Sequence, residues 1–200
     1  MTNRREFLQA AAIAALPLAA GAAGVERPMR YRSPTFRTVL VDERHEETRS
    51  FAARMASSRE PVRVIPDGDI TEIWLREIRP AWQRYPAPVA GLTERPALFC
   101  LEQLALASGL RVILHAEHTV HPGGEVEHSV LRGGVAGTVR YLSARDLMRA
   151  GPQWPGVVAH AVSFPLMLVE PGRPGLSSAA LAPALPPGAK LLTSWIIAPV

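Results

Sequence analysis

The sequence predicts an α/β fold: a small, mostly parallel sheet flanked by helices over residues 38–114, then a C-terminal hairpin and a β-rich extension, in a single domain spanning 38–200. Three observations predict it. Apolar runs of buried-strand length stand at Thr38–Val41, Pro61–Pro66 and Leu110–Leu114. Stretches with apolar residues at helical spacing separate them, and strands joined by such crossovers favour parallel pairing. Beyond Leu114 the pattern changes to alternation about the turn residues Pro122-Gly123-Gly124, the mark of an antiparallel hairpin.

Taken in order, residues 24–37 form an extended polar leader with Pro28 and Pro34. Thr38–Val41 is the first strand and runs into the charged turn Asp42-Glu43-Arg44-His45. Phe51, Ala52, Met55 and Ala56 then make one apolar helical stripe. After the second strand, Asp67-Gly68-Asp69 is a turn from which Asp69 caps the next helix by accepting backbone N–H bonds. That helix carries Ile70, Ile73, Trp74 and Ile78, and Pro80 is expected to kink or end it.

Pro86-Ala87-Pro88 reads as a connection, with Thr93 as a second cap. The following helix, with Leu98, Leu101, Leu104 and Ala105 inside and Phe99, Cys100 and Leu106 on its flanks, is apolar almost all round and is expected to be the central buried one. Gly109 stops it. Residues 133–142 suggest a further strand, Ser143 and Asp146 begin a short helix, residues 157–169 suggest a strand broken by Pro165, and residues 191–198 form the last strand.

Composition narrows function by exclusion. The formal charge of +4 rests on 22 basic residues, of which only Lys190 is lysine, and these alternate with acids instead of forming a run. A nucleic-acid surface is therefore not expected. Cys100 is the only cysteine, so stability rests on the core and not on disulfides, and its place in an apolar helix reads as a small buried hydrophobe. No glycine fingerprint of the dinucleotide or P-loop kind is present, since Gly133-Gly134-Val135-Ala136-Gly137 opens no helix.

The first residues, Met1 to Gly24, pair Arg4 and Arg5, follow them with Phe7 and Leu8, and continue as a mild Ala-rich run with small residues at Ala20 and Ala22. The stretch Asn3-Arg4-Arg5-Glu6-Phe7-Leu8-Gln9 resembles the twin-arginine (Tat) signal peptides, whose pattern is roughly Ser/Thr-Arg-Arg-x-Phe-Leu-Lys; Asn3 and Gln9 depart from it. The resemblance implies recognition by the Tat translocase, cleavage after residue 23 and a periplasmic mature protein. It also implies cargo folded before export, which suits a cofactor-loaded chain, a co-exported partner such as a redox enzyme subunit, or simply a chain that folds fast. An Ala/Gly run interrupted by Pro17 is a poor spanning helix, so no stable membrane span is expected after cleavage.

Two constellations could carry chemistry. In a parallel layer the loops after the strands gather on one edge, where ligands bind, and this edge would hold Asp42, His45, Asp67, Asp69 and Thr93; turn and cap duties explain the same residues. The second is the segment 115–128, which contains four of the six histidines. With a two-residue turn at Gly123-Gly124, Thr119 faces His128 and one face collects His115, Glu117, His121 and His128, a reasonable shell for one zinc, iron or manganese ion. A solvated polar hairpin accounts for the same residues. The functional expectation is thus a Tat-exported, non-catalytic ligand-binding protein or accessory subunit of an exported redox complex, with a small metal-dependent hydrolase or oxygenase as the alternative. Trp74, Trp82 and Trp154 read as packing residues.

Overall fold

A computed structural model describes residues 36–131, 142–163 and 185–199. These belong to one compact α/β domain built on a six-stranded mixed sheet. In chain order the elements are β1 (Thr38–Val41), α1 (Glu46–Ser57), β2 (Val62–Val64), α2 (residues 71–84), β3 (Val89–Glu94), α3 (Arg95–Leu106), β4 (Leu110–Val120), β5 (Val126–Leu131), α4 (Ala144–Ala150), α5 (Trp154–Ser163) and β6 (Lys190–Pro199). The strand order is β2-β1-β3-β6-β4-β5.

The sheet departs from the expected mostly parallel arrangement. β2, β1 and β3 run parallel, but β6 enters antiparallel between β3 and β4, and β5 pairs antiparallel with β4. Leu110–Leu114 is therefore the start of a long antiparallel strand and not the third parallel one. Local pattern could not reveal this, because the strand's orientation is set by β6, a partner from the far end of the chain. The expected last strand is real, and so are the first two.

β3 lies where a connection and a helix cap were expected. Its residues are almost wholly buried between β1 and β6, and the short run Val-Ala-Gly-Leu-Thr has little strand signature of its own, so its pairing partners decide its conformation. Pro80 likewise does not end α2. The helix widens into a π turn at Trp74–Ile78 and resumes as Arg79–Arg84, and the wide turn relieves the clash that a proline ring makes with the preceding helical turn. Residues 157–163 lie in α5 rather than in a strand, because Val158, Ala159 and Val162 bury a helical face. The rest of that segment, and the strand expected at 133–142 apart from its last residue, lie outside the described residues.

Helices cover both faces of the sheet. On one face α1, α4 and α5 pack Phe51, Met55, Leu147, Trp154 and Val158 against Val41, Leu92 and Ile196. On the other, α2 and α3 pack Ile78, Trp82, Leu98 and Leu101 against Leu40, Trp195 and Ile197. α3 is not the central buried helix: Phe99, Cys100 and Leu106 lie on its exposed side, because a helix on an outer layer needs only one apolar stripe. Ser143 caps α4 by accepting from the Asp146 backbone N–H at 3.1 Å.

Trp195 of β6 packs directly over Gly91 of β3. A Cβ at position 91 would sit 2.5 Å from Trp195 Cζ2 and 2.8 Å from the Leu40 carbonyl oxygen, so only glycine lets the indole lie there. Trp195 Nε1 then donates to Thr93 Oγ1 at 3.1 Å. Gly91→Ala is expected to lower stability by about 1–3 kcal/mol through overpacking. Urea titration followed by circular dichroism measures it, and an unchanged midpoint would refute this packing.

Candidate functional site

The chain leaves β1 toward α1 on one face and leaves β3 toward α3 on the other. β1 and β3 are adjacent and parallel, so their carboxyl ends form a switch point, the place in an open α/β sheet where a crevice forms. Asp42, Arg44 and His45 follow β1 there, and Glu94 ends β3.

Asp42 is fully buried. Its carboxylate accepts from the Arg44 backbone N–H at 3.2 Å and from Arg44 Nε at 2.8 Å, and Arg44 Nη2 donates to its second oxygen. Burial pushes the Asp42 carboxyl up, but these bonds and the Arg44 charge outweigh it and hold the group below the usual carboxylate range. Arg44 also reaches Glu94 Oε2 at 3.1 Å, and Glu94 Oε1 lies 3.0 Å from His45 Nε2. Glu47, in the first turn of α1, pairs with Lys190 of β6 at 2.8 Å. Gly68 completes the setting: a Cβ there would meet Arg44 Nη2 at 2.8 Å, so the turn after β2 is shaped to admit the guanidinium.

The switch point thus keeps Asp42 and His45 of the expected edge set and adds Arg44 and Glu94. The other three expected residues have local duties. Asp67 takes a left-handed turn conformation at φ 49°, Asp69 accepts from Thr71 N at 2.8 Å to start α2, and Thr93 is a strand residue engaged with Trp195, not a helix cap. Donor atoms of Asp42, His45 and Glu94 come within 4.8 Å of one another, the only such group of three among the described residues. A metal ion does not fit this set as it stands, because Arg44 already donates to both oxygens of Asp42 and reaches Glu94 Oε2, so these donor atoms are engaged with the guanidinium.

The hairpin register differs from the expected one by one residue. The turn is a three-residue loop, with His121 N bonded to Glu125 O at 2.9 Å and Gly124 at φ +84°, so His118 and not Thr119 faces His128. A one-residue slip exchanges faces. His128 therefore points away from His115 and Glu117, and the expected four-residue metal shell is not assembled.

Instead His118 and His128 meet under α5. Their Nδ1 atoms are 2.8 Å apart, His118 Nε2 is 2.9 Å from Ser194 Oγ, and Trp154 stacks on His118 with ring centroids 4.2 Å apart. Burial lowers His128 to about 4 and, with the neighbouring imidazoles, holds His118 well below its ordinary value. On the opposite face His115 Nε2 and Arg95 Nη1 each lie 3.7 Å from Glu117 Oε1, while His121 Nε2 is 3.3 Å from Glu127 Oε1. Trp74 and Trp82 pack edge to face, as packing residues should, whereas Cys100 is exposed and is not the buried hydrophobe its neighbours implied.

No family model matches the chain, and no curated protein or solved structure matches it.

The neutral His118–His128 pair makes stability depend on pH. Unfolded imidazoles titrate near pH 6.5, so between that value and about 4 the unfolded chain binds protons that the folded chain refuses. The urea midpoint is expected to fall as pH drops through this window, and a His118→Gln, His128→Gln double variant should show a shallower dependence. Equal slopes in the two proteins would remove the pair as the cause.

Proposed function

We propose that the chain is a non-catalytic binding domain, exported to the periplasm by the Tat pathway, that takes a cationic ligand at the carboxyl edge of β1 and β3. The observation that carries this reading is the convergence of Asp42, Arg44, His45 and Glu94 at the switch point of the sheet. Two carboxylates against one guanidinium leave the edge electronegative, and Glu94 is partly open to solvent. A ligand ammonium or guanidinium group is the natural partner of such an edge. Export is supported by the arginine pair Arg4-Arg5 and the Phe7-Leu8 that follows it.

A second reading, an accessory subunit of a co-exported redox enzyme, is favoured by one feature. Phe99, Cys100 and Leu106 stand exposed on α3, with Glu102 and Gln103 on the turn between Phe99 and Leu106, and exposed apolar side chains grouped on one helix are of the kind that partners cover.

Replacing both Arg4 and Arg5 by lysine is expected to hold the protein in the cytoplasm, as cell fractionation reads directly; undiminished export would end the Tat assignment. For binding, calorimetry with 1,4-diaminobutane as the cationic probe is expected to give a saturable signal that Glu94→Gln weakens about tenfold, the loss of one charge-assisted hydrogen bond. A second chain retained in native mass spectrometry would establish the accessory reading. No heat with the diamine, and no molecule or chain retained, would dismiss both.

A further inference from the structure

Helices α1 and α5 lie side by side on one face of the sheet, but they do not close on each other throughout. Phe51 and Met55 of α1 are buried in one core with Val158 and Val162 of α5, and Ser163 Oγ donates to Met55 Sδ at 3.5 Å. Toward solvent the two helices part around a cleft of about 660 Å³, the size of a small-molecule pocket. From α1 it is lined by Ser50, Ala53, Arg54 and Ser57, whose spacing of three, four and seven positions puts all four on one helical face. Gln153, Gly156, Val157 and His160 repeat that spacing on the opposite wall.

Gly156 keeps this space open. It stands inside α5 without a left-handed backbone, where glycine weakens a helix relative to alanine. No close approach demands it, since a Cβ there would meet no atom within 4 Å. A side chain at this position would instead occupy the cleft. With Ala53 and Val157, the glycine gives the cleft a short apolar floor.

The rim decides the ligand's charge. None of the described lining residues is acidic, and Arg54 is exposed with its guanidinium in no ion pair among the described residues. A guanidinium in this setting is a fork for a carboxylate. Around it stand groups that hydrogen-bond hydroxyls: the Gln153 amide, the Ser50 hydroxyl and Ser57, whose Oγ gives its proton to the Arg54 carbonyl at 2.6 Å and so is left as an acceptor. We propose that the cleft between α1 and α5 binds a small hydroxylated carboxylate, with the carboxylate on Arg54 and the carbon chain over Gly156. This site is separate from the carboxyl edge, takes a ligand of opposite charge, and stands whether or not that edge binds a cation.

Titration of the full chain with sodium gluconate, followed by amide signals in nuclear magnetic resonance, tests it. Saturable shifts are expected at Ser50, Arg54, Gly156 and His160, and none with sorbitol, which has the hydroxyls without the carboxylate. Arg54→Gln is expected to weaken binding about tenfold, the loss of one charge-assisted contact. Gly156→Leu, whose side chain fills the cleft, is expected to abolish it, and Glu94→Gln at the carboxyl edge to leave it unchanged. Should Gly156→Leu fail to fold, as judged by circular dichroism, Arg54→Gln decides the matter, because it alters only an exposed side chain. Four results would each overturn the proposal: no saturable shift with gluconate, shifts centred on the carboxyl edge, equal affinity in Arg54→Gln, or equal binding of sorbitol.

Discussion

Strand β6 is the constraint on which the rest of this structure depends. It pairs along its length with β3 on one side and β4 on the other, and it joins a parallel three-stranded half to an antiparallel hairpin half. Neither half has a closed core alone: Ile196 lies in the cluster under α1 and α5, while Trp195 and Ile197 lie in the cluster under α2 and α3. Its partners are remote in sequence, with Trp195 and Thr93 separated by 102 positions, so the sheet closes only when the chain's end returns. Such non-local pairing fixes orientation as well as position, and here it imposes an antiparallel strand on what begins as a parallel layer.

The position of β6 also shapes the charged edge. Lys190 at its start holds Glu47 of α1, and Leu192 pairs with Glu94, so the end of β3 cannot drift from the loop after β1. Within that frame the fully buried Asp42 requires a fixed countercharge, since an unpaired carboxylate at such a site would cost several kcal/mol. Arg44 supplies it from two residues away, and the bare backbone at Gly68 gives its guanidinium room. The same arginine also contacts Glu94, so a set of donors with metal-like spacing is here an ion-pair network with one carboxylate in excess.

Two small irregularities assign the histidines their roles. A bulge between Val112 and Leu114 turns Ile113 and Leu114 toward the same core and reverses the alternation of everything after them. The three-residue loop at Pro122-Gly123-Gly124 then sets the register of β5. Together they bury His118 and His128 beneath Trp154 and turn His115 and Glu117 to the other face. Without the bulge the two sets would exchange environments, one losing its Ser194 and Trp154 partners and the other gaining them.

The sequence by itself determined the α/β class, five of the six strands in outline, the helices starting near residues 46, 71, 95 and 144, and the edge to which Asp42 and His45 belong. All of these rest on short-range signals: apolar period, caps, and turn residues such as Gly109. It did not determine β3, the direction of β4, or the grouping of the hairpin residues. Arg44 and Glu94 were legible only as a charged turn and the start of a helix, because nothing in local spacing joins positions 44 and 94. Likewise His118 could not be told from His115, since one inserted residue at a bulge changes which face a side chain takes. What the tertiary structure alone decided was pairing across long loops, and pairing is where strand direction, register and the identity of neighbouring charges are set.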